Sequence, residues 1–151
     1  MSKVEKAEEL FAKGYNCSQA VFGAFSDDWG LDSKIALKIT NGFGGGLRCG
    51  EICGAVSGAV MAIGLKCGYY AENDLAQKAY CNEKSYEFME KFKQEKGSII
   101  CRDLLGIDIR RPEDHTTPDS RIAHKEVCPK LVAYAAMILE NMERDGHFNG
   151  L

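Results

Sequence analysis

Apolar residues recur every three or four positions along most of the chain, the spacing of helices that bury one face. Ser2, with Glu5 three residues later, predicts the first helix start, and Gly14 predicts its end. The apolar face of this helix comprises Val4, Ala7, Leu10 and Phe11. Asn16, with Gln19 three residues later, predicts the start of a second helix. The chain therefore opens with two short amphipathic helices.

A glycine-rich turn separates these helices from a long apolar segment. The second helix is expected to end near Gly30, and Asp32 predicts the cap of a third. Residues 42–46, Gly-Phe-Gly-Gly-Gly, then interrupt the helical pattern. Residues 51–66 are apolar nearly all round, which predicts a buried central helix. Gly54 and Gly58 are expected to let a neighbouring helix or a bound group approach its backbone closely.

The second half of the chain predicts two longer helices joined by polar segments. Residues 74–96 form an amphipathic pattern, and its core candidates are Leu75, Ala79, Phe88, Met89 and Phe92. Ser98 is expected to cap a short turn through Cys101 and residues 104–105. Residues 106–120 are polar, contain two prolines and predict a loop. The last helix is expected over residues 122–144, with Pro129 either starting its main body or kinking it.

This pattern predicts one all-α, bundle-like domain over residues 1–151, with a Gly-rich loop before a buried central helix. No segment alternates with the period of a β-strand, and no repeat or linker divides the chain. Hydrophobic residues make up 45% and charged residues 27%, which argues against disorder. The net charge of −3, without a basic run, argues against nucleic-acid binding.

Two further features bear on location. The longest uncharged apolar run, residues 52–65, is 14 residues long, too short to span a membrane. The first five residues contain no apolar segment of the kind found in secretory signals. We therefore expect a cytoplasmic protein, in which cysteines stay reduced.

Cysteine is the unusual component. The seven residues are Cys17, Cys49, Cys53, Cys67, Cys81, Cys101 and Cys128. No Cys-x-x-Cys pair occurs, which excludes a zinc ribbon, a thioredoxin-type dithiol, the usual ferredoxin run and c-type haem attachment. The close pair Cys49-x3-Cys53 could supply two metal ligands. Any single cysteine can also be a small buried hydrophobe, and we expect that role for Cys67 and Cys81.

Three cysteines fall at predicted helix starts. Cys17 follows the cap residue Asn16, Cys53 lies in the first turn of the central helix, and Cys128 precedes Pro129, a residue favoured at helix starts. The partial positive charge and free N–H groups of a helix N-terminus stabilise a thiolate. Thiolates bind metals and attack disulfides. The histidines show no metal-binding spacing and are expected at the surface, although His124 precedes Cys128 by four residues and could share its helical face.

These residues resemble the protein family named for the cysteine signature C_GCAxxG_C_C, whose members are described as redox-active and come largely from anaerobic prokaryotes. The matching positions are residues 16–21 (NCSQAV), 44–46 (GGG), 53–58 (CGAVSG), Cys101 before Leu104-Leu105-Gly106, and Cys128. Ile52 precedes Cys53 where the signature has glycine, a departure that leaves the four cysteines intact. A similar module occurs in split-Soret cytochromes c, where cysteines hold an iron–sulfur cluster beside haem. The resemblance implies that Cys17, Cys53, Cys101 and Cys128 are the functional set.

Three hypotheses follow. The leading one is that these four thiolates, with Gly54 beside them and Cys49 as a substitute ligand, bind an iron–sulfur cluster or related metal centre for electron transfer. The second is metal-free thiol–disulfide chemistry, using Cys49 with Cys53 or two of the four cysteines. The third is a structural zinc site or a helical partner-binding module. Whether the protein is an enzyme is open, and its candidate partners are a redox protein and a second copy of the chain, packed against the glycine-lined helix.

Overall fold

The computed structural model describes residues 1–149, and within them it forms helices joined by short connections. The α-helices are α1 (Lys3–Ala12), α2 (Cys17–Ser26), α3 (Ser33–Ile39), α4 (Gly54–Cys67), α5 (Leu75–Lys96), α6 (Cys101–Leu105), α7 (Pro118–Glu126) and α8 (Cys128–Arg144). Short 3-10 helices cover Asn41–Phe43 and Pro112–Thr116. Ile52 and Ile100 form an isolated antiparallel bridge, and no strand is found in residues 1–149. The predicted all-α class is confirmed.

The predicted helix starts arise from local hydrogen bonds. The backbone N–H of Gln19 donates to Asn16 Oδ1 at 2.9 Å, and the N–H of Asn16 donates to Gln19 Oε1 at 3.0 Å, which completes a capping box. Ser2, Asp32 and Asp74 cap α1, α3 and α5 through their side chains. Each cap satisfies a backbone N–H that has no partner inside its helix.

Helix α4 lies at the centre and packs against α2, α5 and α8. Its fully buried side chains include Ala55, Val56, Ala59, Ala62 and Ile63. A Cβ placed on Gly58 would lie 2.7 Å from the backbone oxygen of Ser18 in α2, so only glycine permits this approach. This glycine face contacts α2 of the same chain. The glycines therefore give no support to a second copy packing there, and dimerisation stays a prediction.

Two expectations for helices α4 and α5 are wrong. Helix α4 starts at Gly54 rather than Glu51, because backbone bonds from Glu51 and Cys53 to residues 99–101 hold this segment in a non-helical conformation. In α5, Phe88 and Phe92 are fully buried as predicted and Met89 packs against the core, whereas Leu75 is 71% exposed and Ala79 is also exposed. Both lie, with the exposed Tyr86, on the side of α5 opposite to Phe88 and Phe92, whereas Cys81 in the same part of the helix packs against the core.

The chain after residue 96 also differs in detail from the sequence pattern. Ile100 rather than Ser98 caps α6, and Ser98 Oγ accepts a hydrogen bond from the N–H of Ile100 at 2.9 Å. The expected loop over residues 106–120 ends earlier, since α7 begins at Pro118. The expected last helix is two helices, with Pro129 in the first turn of α8, where its missing N–H costs nothing. Within residues 1–149, no helix combines the length and apolar character needed to cross a membrane.

Candidate functional site

The four cysteines of the signature meet at one cavity. Cys17, Cys53, Cys101 and Cys128 line this space of about 310 Å³, which we name the four-cysteine cavity. Their residues are between 2% and 7% exposed. Cys17, Cys101 and Cys128 are the first residues of α2, α6 and α8, and Cys53 is the cap residue of α4. The sequence predicted helix starts at Cys17, Cys53 and Cys128, and the structure shows that Cys101 also begins a helix.

Long-range backbone bonds bring two of these helix starts together. The N–H of Cys53 donates to the carbonyl of Ile99 at 2.8 Å, and the N–H of Cys101 donates to the carbonyl of Glu51 at 2.6 Å. These bonds flank the Ile52–Ile100 bridge. The start of α4 is therefore tied to the start of α6, although 48 residues separate the two cysteines in the sequence.

Glycines provide the space that this convergence requires. A Cβ on Gly54, which lines the cavity, would lie 3.2 Å from Cys17 Cβ. A Cβ on Gly46 would lie 2.7 Å from Cys101 Cβ and 2.5 Å from the backbone nitrogen of Glu51. Gly46 also has a φ of +62°, which a side chain disfavours. The two glycines thus allow the loop and α4 to approach the cysteines closely.

Cys128 has an electrostatic environment unlike that of the other three cysteines. Hydrogen bonding from Cys17, reinforced by His124, lowers the pKa of the Cys128 thiol to about 6 despite its burial. The same contact with Cys128, together with burial, raises the pKa of Cys17 well above its ordinary value. The hydrogen bond to Cys128 also raises the pKa of His124. Cys17, Cys128 and His124 therefore form a contiguous group with one acidic sulfur.

The remaining two cavity cysteines are held as neutral thiols. Burial raises the pKa of Cys53 to about 11 and that of Cys101 to about 12. Among the four cavity cysteines, Cys128 is therefore the one that ionises most readily. A thiolate beside a thiol is the arrangement from which a disulfide forms by exchange.

Several cavity residues were not singled out by the sequence. Arg48, His115 and Arg121 line the cavity, and the Nε2–H of His115 donates to the carbonyl of Arg48 at 3.0 Å. Arg48 lies just after the glycine-rich turn, His115 in the 3-10 helix Pro112–Thr116 and Arg121 in α7. Their positions in the sequence share no spacing that could have identified them. His124 is exposed, as expected, and its ring also contacts Cys128, as its spacing from that residue allowed.

The other three cysteines lie apart from the residues that line the cavity. Cys49 belongs to the glycine-rich loop, where its Sγ donates to the carbonyl of Gly46 at 3.5 Å. Cys67 ends α4 and is 1% exposed, and burial and a hydrogen bond with Cys81 raise its pKa to about 12. This packing matches the expectation for Cys67 and Cys81.

Within residues 1–149, no group of three or more His, Cys, Asp or Glu side chains is arranged to hold a metal ion. The four sulfurs share a cavity without forming a ready ligand set.

Comparison with known families decides the relationship of this chain. Residues 15–142 match the model of the family described as "Putative redox-active protein (C_GCAxxG_C_C)". The chain belongs to this family. The match includes all four cysteines of the cavity, so the C_GCAxxG_C_C relationship and the geometry concern the same residues. Neither the comparison with curated proteins nor that with solved structures gave a match.

Proposed function

We propose that this C_GCAxxG_C_C protein is a thiol-based redox protein whose reaction centre is the four-cysteine cavity, with Cys128 and Cys17 as the exchanging pair. The observation that carries the proposal is the convergence of four cysteines, from the starts of four helices, on one cavity. Burial alone does not require this convergence, since Cys67 is buried elsewhere in the core. The family description as redox-active supports the same conclusion.

The contact between Cys17 and Cys128 assigns their roles. Cys128 is the sulfur that ionises most readily, so it attacks a substrate disulfide. One substrate sulfur bonds to Cys128 Sγ, and the other leaves as a thiolate. Cys17 then gives up its proton, attacks Cys128 Sγ and expels the second substrate sulfur. The protein gains a Cys17–Cys128 disulfide, and the substrate receives two electrons and leaves as two thiols.

His124 has a positioning role in this scheme. Its contact with Cys128 favours the thiolate, and the same contact raises the pKa of the imidazole. In its protonated form, His124 can give a proton to the first leaving thiolate. The N-terminus of α8 adds its partial positive charge at the same sulfur.

The test is a single-turnover reaction of anaerobically reduced protein with 2-hydroxyethyl disulfide, a small neutral disulfide. We expect two thiols released per chain and a Cys17–Cys128 link in the peptide map. Cys17→Ala should release one thiol and retain a mixed disulfide on Cys128, and Cys128→Ala should lose the fast phase. Cys81→Ala is the matched control, because Cys81 lies outside the cavity. A wild-type protein that stays reduced, or Cys128→Ala reacting like wild type, would overturn the assignment.

A second candidate is an iron–sulfur cluster held by Cys17, Cys53, Cys101 and Cys128, or by Cys49 in place of one of them. The specific observation in its favour is that the cavity includes Cys53 and Cys101, which a two-cysteine reaction does not need. The donor set fits chemically, since four cysteine thiolates are the usual cluster ligands. A bound cluster would supply one-electron transfer.

Cluster binding makes demands that the dithiol reaction does not. Cys17, Cys53 and Cys101 would each have to lose a proton that burial favours, and the side chains would have to move into a ligand set. Iron and sulfide analysis of anaerobically purified and reconstituted protein tests this candidate. Cys53→Ala and Cys101→Ala should abolish cluster incorporation while leaving disulfide exchange at Cys128. Stoichiometric zinc instead of iron would favour the structural zinc alternative.

A further inference from the structure

Apart from the cysteines, the ionisable residues that line the four-cysteine cavity are all basic. Arg48 and Arg121 line it together with His115 and His124, and within residues 1–149 no aspartate or glutamate lines it. The cavity already holds the acidic thiol of Cys128, whose charge one imidazole contact helps to balance. Two arginines carry more positive charge than is required to balance the negative charge of a single thiolate.

These two arginines also differ from every other arginine of the chain. Four of the six are ion-paired, in the pairs Arg102–Glu51, Arg110–Asp108, Arg111–Asp114 and Arg144–Asp145. Arg48 and Arg121 have no ion pair among residues 1–149, and both line the cavity. Among the arginines of residues 1–149, the two without a carboxylate partner are therefore the two that line the cavity.

The backbone directs Arg48 to this place. Residues 45–48 have φ values of +65°, +62°, +58° and +61°, the left-handed region that Leu47 and Arg48 disfavour. His115 holds the strained turn by donating to the carbonyl of Arg48 at 3.0 Å. A Cβ on Gly45 would lie 2.8 Å from Arg48 Nη1 and 3.0 Å from His115 Cε1, so glycine makes room for both side chains. Burial raises the pKa of the Cys101 thiol, and the positive charge of Arg48 acts in the opposite direction.

We propose that the substrate of the Cys128–Cys17 pair is a small disulfide bearing a carboxylate, which Arg48 and Arg121 bind beside the reacting sulfurs. This inference rests on the proposed thiol–disulfide function and adds the class of substrate. A guanidinium offers paired N–H donors that match the two oxygens of a carboxylate. The cavity of about 310 Å³ is at the lower end of the size of small-molecule sites.

The test uses three disulfides of similar length and different charge: 3,3′-dithiodipropionate, 2-hydroxyethyl disulfide and cystamine, which are anionic, neutral and cationic. Each rate with the reduced protein is divided by the rate of 2-mercaptoethanol, an uncharged thiol, with the same disulfide, which corrects for intrinsic reactivity. We expect the anionic disulfide to be preferred over the neutral one on the order of tenfold, the cationic one to be disfavoured, and the preference to fall at high salt.

Variants assign the preference to the two arginines. Arg48→Gln and Arg121→Gln should each reduce it several-fold, Arg48→Lys should keep most of it, and Arg144→Gln, in an exposed ion pair, should leave it unchanged. Reaction with the neutral disulfide but without anionic preference would overturn this inference and leave the proposed function standing. A preference that survives both glutamine variants would overturn the assignment to the arginines. Failure of all three disulfides would overturn the proposed function itself.

Discussion

Two glycines of helix α4 provide a test of how closely the helices must pack at the site. A Cβ on Gly58 would lie 2.7 Å from the backbone oxygen of Ser18 and 3.1 Å from its Cα, whereas a Cβ on Gly64 would meet nothing within 4 Å. Both glycines lie inside the same helix. The substitutions Gly58→Ala and Gly64→Ala therefore share their effect on helix propensity and differ in the space available.

The magnitudes follow from these distances. Replacing a glycine inside a helix by alanine stabilises the helix by about 1 kcal/mol. At Gly64 nothing opposes this gain. At Gly58 the atoms in the way belong to the backbone of α2, so the helices must separate, and such overpacking costs about 1–3 kcal/mol. We expect Gly64→Ala to raise the free energy of unfolding by up to ~1 kcal/mol and Gly58→Ala to lie about 1–3 kcal/mol below it.

Urea denaturation followed by far-ultraviolet circular dichroism measures both values, with unchanged m-values as the check that unfolding remains comparable. A second readout links this packing to the reaction. Ser18 follows Cys17, so a displaced α2 moves Cys17 relative to Cys128, and Gly58→Ala should form the Cys17–Cys128 disulfide more slowly than Gly64→Ala. Equal stability of the two variants, or a more stable Gly58→Ala, would refute the close-packing argument.

Three further predictions concern the site and its supports. The rate at which iodoacetamide labels Cys128, followed by mass spectrometry from pH 5 to 10, should have its midpoint near pH 6, because the thiolate is lost as the pH falls through that value. Cys17→Ala should raise this midpoint, and labelling of Cys128 only at alkaline pH would contradict the prediction. Cys53 and Cys101, with pKa values of about 11 and 12, should be labelled at neutral pH only after denaturation, when peptide mapping would detect both. Asn16→Ala removes the cap of α2 and should lower the free energy of unfolding by about 0.5–2 kcal/mol in urea titrations, while Asn16→Ser should retain most of it.

Much of the helical framework was predictable because the interactions that start these helices are local. The Asn16–Gln19 capping box spans four residues, and Asp32 and Asp74 cap helices through side chains that reach three residues ahead. The same locality placed Cys17 and Cys128 at helix starts. The non-helical conformation of residues 51–53 before α4 could not be predicted from local signals, because its hydrogen-bond partners are residues 99–101, far along the chain.

The sequence pattern predicted only in part which residues of α5 are buried. Leu75 is 71% exposed because it lies, with the exposed Tyr86, on the side of α5 opposite to the buried Phe88 and Phe92. Apolar residues occur on both sides of this helix, so their spacing alone does not indicate which side packs against the core.

For the site, the sequence by itself selected Cys17, Cys53, Cys101 and Cys128 through the family resemblance, and local signals predicted Cys17, Cys53 and Cys128 at helix starts. Tertiary structure alone decided that they share one cavity, that Cys17 and His124 contact Cys128, and that Arg48 and Arg121 join them. The physical reason is that ionisation depends on what surrounds a sulfur in space. The partners that make Cys128 acidic come from different helices, so no spacing along the chain could identify all of them.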